Sequence, residues 1–247
     1  MNPYGGLCDD FYVNMNLCTE MELPSNRETI LHFFERVRKA YPGMRNFYCR
    51  EEGEFVLEED KEEGRYRWCA VEPRRVCSGY LNPEEIQEAL LQHQLVLQLA
   101  PYELSISPLD CEALDVLFGF DFTYRGNHNQ VVAEALGMPP AFERFAEWPG
   151  GMVIHYEPAL TLAFDRECRR QCRVSLETRT TAYHIRTGDY PEEQLSVYVT
   201  CRQYGSLPNE EAFVRTFQEL VQLCQQVIDT YVIESLLQPL ARVIATG

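Results

Sequence analysis

An internal repetition at a spacing of 105 residues limits what this chain can fold into. Glu72 and Arg74 of the first half match Glu177 and Arg179 of the second half at that spacing. The other identical pairs are Glu52 and Glu157, Leu57 and Leu162, Asp60 and Asp165, Glu62 and Glu167, and Arg65 and Arg170. Because the register holds without a gap over so many positions, the sequence predicts a duplicated structural unit.

The first half shows alternating strand patterns and helical stripes in turn. Strands are predicted at 11–21, 47–50, 55–58, 65–73 and 76–81. A helix follows Pro24, with Ser25 as its expected N-cap, and a second helix begins at Asn82 and runs to about Leu99. The order is therefore β-α-β-β-β-β-α, which favours an α+β fold with one unit over residues 1–110.

The second half, 111–247, repeats this order with additions. Strands are predicted at 116–123, 152–156, 159–165, 170–179 and 181–187, with an added strand at 194–204. A short helix is expected at 129–136 and a long one from about residue 208, where apolar residues recur at helical spacing. The link 138–151 is left open as either a covering lid or a passive connection. Together the two units are expected to form one pseudo-symmetric domain.

This duplicated order resembles the fold of the TATA-box-binding protein. The resemblance is one of architecture and rests on no sequence motif. It implies a curved antiparallel sheet, with helices packed on one face and an open, concave face opposite. The DNA-binding role does not carry over, because that role needs a basic saddle and this chain carries a net charge of −16, with 38 acidic and 22 basic residues. Nucleic acid is therefore not an expected partner.

The repeated Glu-x-Arg pattern is the strongest candidate for a site. Strand alternation places it on the open face, where guanidinium groups are suited to bidentate capture of carboxylate or phosphate. The alternative is that each glutamate simply pairs with its neighbouring arginine across a solvated sheet. The candidate ligand- or partner-binding residues are Trp68, Glu72, Arg74, Glu177, Arg179, His184, Tyr198 and Arg202.

Other chemistry is sparse in the sequence. Cys168 and Cys172 have the spacing of half a zinc site, but core or surface thiols are the favoured interpretation, and no metal or cofactor is expected. The ten cysteines of this long chain are not arranged as a disulfide scaffold. With no secretory signal pattern at the start and no apolar stretch of membrane-spanning length, the sequence favours the cytoplasm.

These observations favour a non-enzymatic protein whose open sheet face binds a protein partner or a small anionic ligand. Two alternatives remain at this point. The first is a hydrolase-type enzyme in which Glu72, Asp121, Glu177 and His184 form an acid–base cluster between the halves. The second is a homo-oligomer that associates through an exposed strand edge or through the open face itself.

Overall fold

The computed structural model describes residues 2–50 and 53–246, which form a mixed α+β fold around one open, nine-stranded antiparallel sheet. The strand order is β2-β3-β4-β5-β1-β6-β9-β8-β7. The strands are β1 (Asp10–Thr19), β2 (Asn46–Cys49), β3 (Phe55–Glu58), β4 (Tyr66–Glu72), β5 (Arg75–Leu81), β6 (Cys111–Arg125), β7 (Ala159–Ala163), β8 (Arg170–Glu177) and β9 (Glu192–Tyr204). The long β1–β6 ladder lies in the middle and makes one continuous sheet of the two halves.

The helices lie mostly between and after these strands. They are α1 (Arg27–Ala40), α2 (Ile86–Glu103), α3 (His128–Leu136), α4 (Pro140–Ala146), α5 (Ala182–Thr187), α6 (Glu211–Val227) and α7 (Gln238–Thr246). A single 3₁₀ turn, Pro108–Asp110, precedes β6, and a π-helical segment, Ile228–Leu237, joins α6 to α7. Among the described residues, no helix is both long enough and apolar enough to cross a membrane.

The burial of the central strands determines where the core lies. In β1 every second residue, from Phe11 to Leu17, is fully buried, and β9 repeats this alternation from Val197 to Arg202. Strand β6 is instead buried on both faces from Ala113 to Phe122, except at Leu117. Helices α2 and α6 contact β1, β5, β6 and β9, and their buried stripes join those strand residues in one apolar cluster. Because successive strand residues point to opposite faces, the remaining side chains lie on the other face, which we call the open face.

The start of each long helix differs slightly from its sequence prediction. The N-cap of α1 is Asn26 rather than Ser25, since the Asn26 side chain accepts a hydrogen bond from the Thr29 backbone N–H at 2.9 Å. Asn82 does not cap α2, which begins at Ile86. Asn82 instead has a positive φ of 51° and accepts a hydrogen bond from the Phe11 N–H, so it anchors the turn after β5 to β1.

The second half departs further from its prediction. Residues 181–187 were expected to form a strand, but 182–187 form helix α5, because Thr181 and His184 make a reciprocal capping box. The strand expected to be an addition, 194–204, is β9, which lies between β6 and β8 in the sheet. Residues 152–156 form no strand, and the link 138–151 contains the short helix α4. The sequence also predicts a hairpin turn at Glu52-Gly53, between the strands at 47–50 and 55–58; it falls partly on 51–52, outside the described residues.

Candidate binding face

The open face carries aromatic and polar side chains from the strands at the middle of the sheet. The register places Trp68 of β4, Tyr198 of β9 and Arg202 of β9 on this face. Tyr12, Asn14 and Asn16 of β1 lie between them and are all partly exposed. The structure therefore puts these three candidate residues on one surface, and Glu72, four residues after Trp68 on β4, shares it.

One part of this face is a cleft of about 420 Å³. It extends from β1 across β5, β4 and β3, and it takes in both candidate residues from β4, Trp68 and Glu72. The lining residues, which we call the cleft, are Asn14, Asn16, Arg50, Glu54, Val56, Glu58, Lys61, Tyr66, Trp68, Glu72, Arg75 and Cys77. A volume of this size is at the lower end of the range for small-molecule sites and is sufficient for one large side chain of a partner.

Gly79 of β5 supports the aromatic wall of the cleft. A Cβ at this position would overlap the indole of Trp68 and would lie 2.5 Å from the amide oxygen of Asn14. Trp68 and Asn14 therefore lie against bare backbone, which only glycine provides. The Asn14 amide oxygen is buried and has no hydrogen-bond partner among the described residues. An unpaired buried acceptor is unfavourable unless something else supplies a donor.

The charged groups of the cleft are paired with one another. Glu72 accepts two hydrogen bonds from Arg75, at 2.8 and 2.9 Å, and these bonds raise the pKa of the Arg75 guanidinium. Lys61 lies 3.0 Å from Glu58, and Arg50 lies 2.7 Å from Glu54. The cleft thus contains three carboxylates and three cations, and each cation already has a carboxylate.

Arg74 occupies a different place from the one expected. The sequence predicted that Glu72 and Arg74 stand side by side on one strand, but β4 ends at Glu72 and β5 begins at Arg75. Arg74 lies exposed at the hairpin tip, after Pro73, and its backbone carbonyl accepts a hydrogen bond from the Thr19 N–H. Proline is favoured in such turns, so the Glu-Pro-Arg-Arg stretch closes a hairpin rather than continuing the strand.

A small apolar cluster forms the floor of the cleft. Val56, Ala70 and Cys77 are each at most 2% exposed, and Tyr48 and Trp68 pack against them. Burial raises the pKa of the Cys77 thiol well above its usual range, and its Sγ donates a hydrogen bond to Glu72 at 3.4 Å. The thiol is therefore a protonated packing group and not a nucleophile.

Arg202 is connected to the cleft through Asn16. Its guanidinium makes two hydrogen bonds to the buried Asp115 carboxylate, at 2.6 and 3.0 Å. The other oxygen of Asp115 accepts a hydrogen bond from the Asn16 amide at 2.8 Å. Both bonds reach one oxygen of Asp115, and Nη1 of Arg202 donates to the Tyr204 hydroxyl at 3.3 Å. Arg202 therefore fixes the shape of the cleft rim, because each of its three nitrogens already has a partner.

A second group of candidates lies around Tyr12. Its ring is 6.5 Å from the ring of Tyr198, and its hydroxyl donates to Asp121 at 3.4 Å. Burial raises the pKa of both Tyr12 and Asp121. Arg179 pairs with Glu177 at 3.1 Å; burial opposes the charge of Arg179, but Tyr198 and Glu177 outweigh it and raise its pKa.

His184 lies apart from both groups. It was expected on a strand, but it occupies the first turn of α5, where its backbone N–H and ring contact Thr181. It lines a separate groove with Arg125, Tyr183, Asp189 and Glu192. Its capping contacts account for its position.

A buried polar chain beneath the cleft was not foreseen from the sequence. Gln92 and His93 of α2 are fully buried, and the Gln92 amide contacts the backbone carbonyls of Trp68 and Gly79, both at 3.1 Å, and the Ser78 hydroxyl. His93 Nε2 lies 3.1 Å from the Val13 carbonyl, which can only accept, so Nε2 carries the proton and Nδ1 accepts from Ser78. The sequence signal that could have revealed this chain is the presence of Gln92 and His93 within the apolar stripe of α2.

The cysteines expected as a possible half-site do not face one another. Cys168 is exposed in the turn before β8, whereas Cys172 is buried opposite Cys201 of β9. The hydrogen bond with Cys201, together with burial, raises the pKa of the Cys172 thiol. Across residues 2–50 and 53–246, no group of three or more histidine, cysteine or acidic side chains is arranged to hold a metal ion.

Comparisons with known proteins add no assignment to this geometry. No protein-family model matches the chain, and a search of curated proteins finds no significant match.

Proposed function

We propose that this chain is a binding protein that receives a basic or amide side chain of a protein partner in the cleft of its open face. The observation that carries this proposal is the unpaired Asn14 oxygen beside the Trp68 wall. A guanidinium or amide group in the cleft would donate to that oxygen once a rotation of the Asn14 side chain brings it to the cleft surface. The planar guanidinium would also stack on the exposed part of the half-buried Trp68 indole, as arginine commonly does on tryptophan.

Charge supports a cationic group over an anionic one. The three cations and three carboxylates that line the cleft are paired with one another, so these pairs favour neither sign of ligand. The net charge of −16 attracts cations to the surface and repels anions. A small anionic ligand is therefore the weaker of the two partner classes expected from the sequence.

The enzyme alternative has less support. Glu72, Glu177, Asp121 and His184 have four different partners, namely Arg75, Arg179, Tyr12 and Thr181. Within the described residues, the four groups make no hydrogen bond with one another. A general acid and base must reach a common substrate, and these contacts do not assemble such a site.

We also propose that the two halves of the chain arose from one duplicated unit. The strand order on either side of the β1–β6 pair supports it, because β5, β4 and β3 follow β1 outward as β9, β8 and β7 follow β6. Val13 pairs directly with Phe118, its counterpart at a spacing of 105 residues, as expected at a pseudo-two-fold axis. The 105-residue register then lapses after Arg179, at the segment 180–191, which precedes β9 and contains α5.

A fluorescence titration with N-acetyl-arginine amide tests the proposed function. The chain has two tryptophans, so a Trp148→Phe background isolates the signal of Trp68. A ligand of about 15 non-hydrogen atoms at about −0.3 kcal/mol per atom gives a Kd of about 1 mM. We expect a saturable change in Trp68 emission near that concentration.

Two controls make the titration specific. Asn14→Leu removes the acceptor, and we expect it to weaken binding about ten-fold while the thermal unfolding temperature stays within a few degrees of the parent. Inorganic phosphate is expected to leave the Trp68 emission unchanged. Saturation by phosphate with no response to the arginine amide would reverse the assignment in favour of an anionic ligand.

A further inference from the structure

Strand β7, at one edge of the sheet, is apolar and uncovered. All five of its residues are exposed, and Leu160, Leu162 and the following Phe164 are 61, 51 and 46% exposed. The preceding segment carries five more large exposed apolar residues and forms a pocket of about 640 Å³ that ends at Ala159, the first residue of β7. We call these the apolar β7 surface: Phe142, Phe145, Trp148, Met152, Ile154, Leu160, Leu162 and Phe164.

The summed exposed area of these eight side chains is comparable to that of an interface. Its four aromatic side chains are 46 to 71% exposed. At about 200 Å² for each whole side chain they alone expose about 500 Å², which is near the upper end of the largest patch on a typical monomer. The four aliphatic residues are each more than half exposed and enlarge it further. A standard interface buries about 800 Å² per partner, so this surface supplies most of that area.

The outer side of β7 has backbone N–H and C=O groups that pair with no neighbouring strand among the described residues. The Phe164 N–H bonds to the Arg170 carbonyl, and the Pro158 carbonyl accepts from the Leu176 N–H, so even-numbered residues face β8. Because the direction alternates along an antiparallel strand, the N–H and C=O groups of Ala159, Thr161 and Ala163 point outward. Natural edge strands are usually protected by charges, proline or bulges, and β7 contains no charged residue.

We infer that β7 pairs with β7 of a second copy of this chain, in an antiparallel, two-fold symmetric dimer. Centring the axis on Thr161 pairs Thr161 with its own copy and Ala159 with Ala163 of the copy. The outward N–H and C=O groups of Ala159, Thr161 and Ala163 are then all hydrogen-bonded to the second copy. In the same register Leu160 of one copy lies directly opposite Leu162 of the other, so each subunit covers the leucines that its own helices leave exposed.

A second copy fits this edge better than another protein does. An antiparallel pair of identical strands is complementary to itself without any further requirement. β7 contains no charged residue, so the contact itself brings no like charges together although each chain carries −16. The opposite edge of the sheet, β2, is flanked instead by Arg45 and Arg50.

Sedimentation equilibrium of the full chain over about 1 to 100 μM tests the dimer. We expect twice the mass of one chain for the unmodified protein. Leu162→Lys and Thr161→Pro are each expected to halve that mass, the first by placing charge in the contact and the second by removing an outward N–H that β8 does not use. Leu91→Lys is the matched control, because Leu91 is 52% exposed on α2, and it should remain dimeric.

Circular dichroism establishes that each variant is folded, and hydrogen exchange of the unmodified protein gives a reading that needs no substitution. The amides of Thr161 and Ala163 should become protected as concentration rises. A protein that stays monomeric at 100 μM overturns the inference. So does a dimer that survives both substitutions in folded variants, or a dimer whose Thr161 and Ala163 amides stay unprotected.

Discussion

Gly79 shows how one residue determines the shape of the cleft. Its missing side chain leaves the space that Trp68 and Asn14 occupy. Gly79→Ala should displace the indole and destabilise the fold by about 1–3 kcal/mol, as inserted atoms do at packed positions. Urea unfolding and the Trp68 emission spectrum measure the two effects. Gly6→Ala is the control, since a Cβ there meets nothing within 4 Å and should change neither.

His93 gives the protein a specific pH dependence. Burial lowers the pKa of His93 to about 3, compared with about 6.5 in an unfolded chain. Between these values the unfolded chain binds one proton more, so this contribution to stability is complete above about pH 6.5 and is lost as pH falls. His93→Gln should therefore reduce the slope of unfolding free energy against pH by about 1.4 kcal/mol per unit between pH 6 and 4.

Urea unfolding at several pH values measures that slope. His155→Gln is the comparison, because the His155 side chain is 68% exposed. It should leave the slope unchanged. An identical slope for His93→Gln and the unmodified protein would show that the buried imidazole takes up its proton without cost.

At the scale of elements, the N-terminus of α1 provides a test of which residue caps the helix. Asn26 makes the capping hydrogen bond to Thr29, so Asn26→Ala should cost about 1 kcal/mol. Ser25→Ala should cost a few tenths of a kcal/mol or less. Chemical denaturation measures both, and the reverse ranking would support the cap expected from the sequence pattern.

The sequence pattern was sufficient to predict elements in which apolar residues recur regularly. It was not sufficient where a few polar contacts decide between helix and strand or choose a partner. The buried alternation of β1 and the apolar stripes of α1 and α6 are evident from residue types alone. Residues 182–187 are equally compatible with strand and helix by pattern, and the Thr181–His184 capping contacts select the helix. The partner of Glu72 depends on where the hairpin turns. Because the turn lies at Pro73 and Arg74, Glu72 pairs with Arg75 and not with Arg74 as expected.

The sequence was enough to predict which face of the sheet carries the candidate residues, but not that this face contains a cleft. Alternation places Trp68, Tyr198 and Arg202 on the open face. The cleft, however, depends on β3 lying beside β4 and on glycine at position 79, which are tertiary facts. The supporting chain from Gln92 through Ser78 to His93 likewise joins residues of α2 and β5 that the sequence does not connect.

For the whole molecule, the charge of −16 predicts a salt dependence of binding. Affinity for N-acetyl-arginine amide should fall several-fold when ionic strength rises from about 20 to about 200 mM, because screening shortens the reach of the surface charge. The uncharged analogue N-acetyl-citrulline amide should bind more weakly and show little salt dependence. Calorimetric titration at the two salt concentrations distinguishes this long-range attraction from binding by shape alone.

The central claim is that ligands bind the cleft on the open face, and NMR titration of the full chain with N-acetyl-arginine amide tests it most directly. We predict that chemical shifts change at the Asn14 side-chain amide, the Trp68 indole N–H and the Gly79 backbone N–H, with a common Kd of about 1 mM. The groove around His184 and the hairpin tip at Arg74 should not shift. Shifts confined to those two places, or none at the cleft up to about ten times that concentration, would contradict the account.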